Sequence, residues 1–81
     1  MKLTDTKIIR FEDGDFWVDI VETPELYEAW ISHKSYGVSS HMFGIPKKNP
    51  TLPDMTFELF MSMVNVHLDM HKYFYAVEYM D

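Results

Sequence analysis

Cysteine is absent from this 81-residue chain. That excludes a disulfide framework and a cysteine nucleophile, and it suits a reducing interior. No apolar run approaches the roughly 18 residues of a membrane span. The opening MKLTDTK has no apolar signal-peptide core. A soluble, cytoplasmic protein is therefore expected. Glycine is scarce, with three in all, and no Gly-rich phosphate loop is present. Neither glycine nor proline follows Pro53, so nothing in the last third of the chain is bound to break a helix.

Basic residues are also missing locally. Between Phe11 and His33 there is no Lys or Arg, yet that window holds Glu12, Asp13, Asp15, Asp19, Glu22, Glu25 and Glu28, seven of the thirteen acids. The net charge is −6. Direct binding to DNA or RNA is disfavoured, because phosphate contacts need a basic footprint. The acids read either as a solvating face or as a docking surface for a basic partner, including a nucleic-acid-binding protein whose groove they would occupy.

What is present is a globular composition, 47% hydrophobic and 16% aromatic, in a single domain over residues 1–81. Near this size roughly 60% of the unfolded surface can be buried. "IIRFEDGDFWVDIV" places Asp13-Gly14 between two β-rich runs, which predicts a type I′ hairpin. That turn pairs Phe11 with Phe16, Ile9 with Val18 and Arg10 with Trp17. Ile9, Phe11, Phe16, Val18 and Ile20 form a core face, and Arg10 lies over Trp17 as a cation–π pair on the other. After Thr23-Pro24, Tyr27, Ala29, Ile31 and His33 alternate with Leu26, Glu28, Trp30, Ser32 and Lys34. This predicts a second hairpin turning near Gly37. Pairing symmetric about Gly37 sets His33 against His41, Ile31 against Phe43 and Ala29 against Ile45.

The loop "PKKNPTLP" leads to Thr51 and Asp54, a capping-box spacing in which Asp54 could itself cap. Phe57, Phe60, Val64, His67, His71 and Phe74 then recur at helical spacing. The final "KYFYAVEYM" also alternates as a strand would, which leaves residues 72–81 open between helix and strand. The expected fold is α+β: two antiparallel hairpins forming a four-stranded sheet, packed on one face by a long C-terminal helix.

The four histidines fall into two pairs. His67 and His71 lie one helical turn apart, about 5–6 Å. His33 and His41, if paired across strands, are about 4.5–5.5 Å apart. Converging, the four would hold zinc or another divalent transition metal, satisfying buried imidazoles and stapling strand to helix. A catalytic reading is weaker. In the zinc-protease pattern H-E-x-x-H the base follows the first histidine, and here that position is Leu68. Trp17 and Trp30, aromatics amid acids, suit a protein interface instead.

The block "YEAWISHKSYGVSSHMFGIP", residues 27–46, resembles small acidic proteins of gut Gram-positive bacteria, their phages and mobile elements, a setting that includes the type II anti-CRISPR inhibitors of Cas9. The resemblance covers about a quarter of the chain and implies a non-enzymatic inhibitor that docks acidic side chains on a basic nucleic-acid-binding surface. A homo-oligomeric structural or regulatory subunit is the alternative, and a small metal-dependent enzyme comes third.

Overall fold

The first hairpin closes one residue later than Asp13-Gly14 suggests. In the computed structural model, which describes residues 5–80, strand β1 (Lys7–Asp13) meets β2 (Phe16–Glu22) with Asp13 opposite Phe16. The two-residue loop is therefore Gly14-Asp15. Gly14 has φ +61°, and no described non-glycine residue has positive φ. That is the type II′ pattern, with glycine at the first loop position, whereas type I′ would also force Asp15 into the left-handed region. The expected pairs are corrected accordingly: Phe11 faces Val18, Ile9 faces Ile20 and Arg10 faces Asp19. Because the slip is even, every side chain keeps its expected face. The opening MKLT, read above for a targeting signal, and Asp81 lie outside the described residues.

Strand β3 (Leu26–His33) pairs antiparallel with β2, and β4 (Ser39–Pro46) with β3, giving the order β1-β2-β3-β4. The symmetric register about Gly37 is overturned. Ala29 faces Phe43, Ile31 faces Ser40 and Trp30 faces His41, with a bulge that leaves Met42 as the extra residue. Gly37 still supplies the left-handed turn, at φ +67°. The bulge decides which residues meet: His41 joins Trp30, while His33 aligns across β2 with Phe16. Trp30 and His33 are three apart on one strand, so the two histidines occupy opposite faces.

Helix α1 runs unbroken from Phe57 to Tyr79, so the terminal segment is helical almost to its end. Its cap is Thr56, whose hydroxyl accepts from the Leu59 N–H at 3.1 Å. Thr51 and Asp54 are not the cap, because Met55 is still tied to the loop by donating its N–H to the Lys47 carbonyl at 2.7 Å. Phe60, Val64, Leu68 and Tyr75 are buried, packing on Val18, Ile20, Ala29 and Ile31 in one α+β core. The expected stripe is thereby rotated: Phe74 is exposed and Leu68 takes a core place. The helix packs chiefly on β3 and β4, which explains why Ile9, on the core side of edge strand β1, stays 45% exposed. No helix of the described residues is long and apolar enough to cross a membrane.

Candidate partner-binding face of the sheet

With α1 on one side, no other described helix or strand covers the second side of the sheet. Strand alternation gives that open face Arg10 and Glu12 from β1, Trp17 and Asp19 from β2, Glu28 and Trp30 from β3, and His41 from β4. These side chains knit into a ladder. The Arg10 guanidinium donates Nε–H and Nη2–H to the two Asp19 carboxylate oxygens at 2.7 and 3.0 Å. Asp19, through that hydrogen bond first and its charge second, raises the Arg10 pKa further. Arg10 also lies 5.2 Å from the Trp17 ring centroid. This expected cation–π contact is reached diagonally rather than directly across the strands. Lys34 sits over the same ring at 5.0 Å and forms an ion pair with Glu12. Farther along, the Trp30 ring stands edge-on to His41 at 4.8 Å, and His41 Nε2 lies 3.1 Å from Glu28 Oε2.

The seven acids are less bare than their spacing suggests. Glu12, Asp19 and Glu28 are held in the ladder. Asp13 pairs with Lys72 of α1 at 3.0 Å, and Glu22 with Lys47 at 2.8 Å. The Lys47 hydrogen bond lowers the Glu22 pKa below the usual carboxylate range. Of these seven acids only Asp15 and Glu25, which flank β2, have no charged or hydrogen-bonding side-chain partner among the described residues. The neutralising cations come from outside the acidic window, at positions 10, 34, 47 and 72. Only tertiary structure brings Lys47 and Lys72 in. Lys34 was nearer to legible, since it continues the β3 alternation on the side of Trp30.

The four histidines are not gathered. His33 lies edge-on to Phe16 and to Tyr36, each at 5.0 Å, and its Nδ1 accepts from the Ser35 N–H at 3.0 Å. His67 and His71 rest on Phe43, with ring centroids at 5.8 and 6.2 Å. Burial pushes the His71 pKa below the ordinary imidazole value, with smaller contributions from His67 and His41. Among the described residues no three His, Asp or Glu side chains form a group that could hold a metal ion.

No protein-family profile, curated protein or solved structure matches the chain.

Proposed function

We propose that this chain is a non-enzymatic interaction protein that docks the open face of its sheet on a basic, nucleic-acid-binding protein. The observation that carries this reading is that face itself, where two half-buried tryptophans are fixed among charged groups and left without a covering layer. Flat aromatic area at low entropy cost, with Arg10 beside it, is the composition of interface hot spots. Complementary charge steers association and register more than it sets affinity. Most of the acids are already paired, so affinity would come mainly from Trp17 and Trp30, with Asp15 and Glu25 steering from either end. Guide-loaded Cas9 is the partner to test, as the resemblance of residues 27–46 implies, and the setting would be the cytoplasm.

The test is binding of the unaltered chain to guide-loaded Cas9 at two salt concentrations, beside Trp17→Ala with Trp30→Ala, and Asp15→Lys with Glu25→Lys. The tryptophan pair should abolish binding. The charge reversals should slow association and reduce its salt dependence while leaving the fold intact, since neither acid holds an ion pair. An unaltered chain that fails to bind at low salt would remove Cas9. Binding that survives loss of both tryptophans would remove the open face as the site.

A further inference from the structure

Helix α1 buries one stripe and leaves another apolar one facing outward. Leu59, Met63, Val66, Met70, Tyr73 and Val77 follow one another at spacings of 4, 3, 4, 3 and 4. That is the 3.5-residue repeat of a coiled-coil seam. Val66 is 77% exposed, Tyr73 65% and Val77 64%, with Leu59 and Met70 close to half. With Phe74 beside them, the stripe exposes on the order of 600 Å², the upper end of what an ordinary monomer leaves in one patch. It runs about 27 Å along the helix and adjoins an apolar groove against β4 floored by Phe43 and Ile45.

We infer that the occupant of this stripe is a second copy of the chain, seated antiparallel about a two-fold axis that passes between Val66 and Met70 on the side of the helix away from the core. The spacing reads the same in both directions. Reversing one helix therefore sets Leu59 against Val77 of the other copy, Met63 against Tyr73, and Val66 against Met70. Three layers recur twice, each pairing a larger side chain with a smaller or more flexible one. An isologous interface requires this self-complementarity, which the alternating 4 and 3 spacing of the stripe supplies. The area also fits: a standard interface takes about 800 Å² from each partner, which the stripe and the walls of its groove together approach. A membrane surface is the poorer occupant, because Glu58, Asp69 and Glu78 lie on the exposed side of the helix and would be repelled by anionic headgroups. The dimer places the two sheets' open faces away from the shared helices, so this inference stands independently of the proposed function.

Sedimentation velocity from micromolar to near-millimolar concentration should show a monomer–dimer equilibrium. Its salt dependence should be the reverse of docking on a basic protein: chains of charge −6 repel, so added salt tightens the dimer. Val66→Glu should raise the dissociation constant by about a hundredfold, because it buries an unpaired charge in the seam, and should leave far-UV circular dichroism unchanged. The chain's lack of cysteine permits an orientation test. Leu59→Cys and Val77→Cys chains, mixed and oxidised, should cross-link to each other and not to themselves. A monomer at every concentration, a dimer indifferent to Val66→Glu, or cross-links only between like positions would each overturn the inference.

Discussion

Tyr75 ties the distal half of α1 to the second hairpin. Its ring is 2% exposed, stands edge-on to Phe16 at 5.7 Å, and its hydroxyl donates to the Val38 carbonyl at 2.6 Å. Two substitutions separate these contributions. Tyr75→Phe removes only the hydrogen bond. A bond of this kind contributes about 0.5–1.5 kcal/mol net, and because Val38 itself is exposed, water can take over its carbonyl, which places the cost near the lower figure. Tyr75→Ala also empties a large buried volume, at about 3–5 kcal/mol. A domain of this length has a total stability of about 4–12 kcal/mol at 0.05–0.15 kcal/mol per residue. The first variant should therefore fold and melt roughly 2–4 °C lower, and the second should lose a large share of the total, from about a quarter to all of it. Urea titration followed by circular dichroism measures both, with the midpoint shifting at constant slope. A Tyr75→Ala chain destabilised by less than about 1.5 kcal/mol would refute the account, since the helix beyond Leu68 would then not be part of the core.

Four further outcomes are expected. Arg10→Ala should lower the denaturation midpoint only slightly, and less at high salt, because the Asp19 pair sits on an exposed face. Burial depresses the His71 pKa, so the unfolded chain binds the extra proton; stability is complete above about pH 6.5 and falls as pH drops below it. His71→Gln should flatten that decline. Glu22, held low by Lys47, adds a second loss that begins only below about pH 4.3, and Glu22→Gln should remove it from the same titration. For metal, His67 and His71 remain a two-donor pair on one helix turn; zinc in excess should raise the melting temperature by mass action, His71→Ala should cancel the rise, and no rise at millimolar zinc would end that reading.

The sheet was largely legible because its signals are local. Asp13-Gly14 between alternating runs and Gly37 after the second alternation locate both turns, and alternation alone assigns Val18, Ile20, Ala29 and Ile31 to the core. Register was not legible where one extra residue could be absorbed. The bulge at Met42 moves His41 from His33 to Trp30, and nothing in "SSHMFG" marks it. The helix face was misjudged for a different reason. Apolar residues nearly encircle α1, so Phe57, Phe60, Val64 and Phe74 fit a stripe as well as the buried Phe60, Val64, Leu68 and Tyr75 do. Only the crossing over β3 and β4 chooses between them. The pairing of the acids was illegible for want of distance information, since Lys47 and Lys72 lie 25 and 59 residues from Glu22 and Asp13.

The offset of α1 toward β3 and β4 has a consequence for how the molecule opens. β1 is an outer strand whose one sheet neighbour is β2, and Ile8 and Ile9 gain little from burial. Detaching it would break one ladder and the Arg10–Asp19, Glu12–Lys34 and Asp13–Lys72 pairs but leave β2, β3, β4 and the helix packed. Such a partial opening should lie well below global unfolding in free energy. Amide hydrogen exchange would then report two cooperative units, with β1 exchanging first and β3 tracking the whole. In the opened form β2 becomes a bare edge, and the ladder that fixes Trp17 loses Arg10, so the geometry of the open face depends on the least anchored strand in the fold.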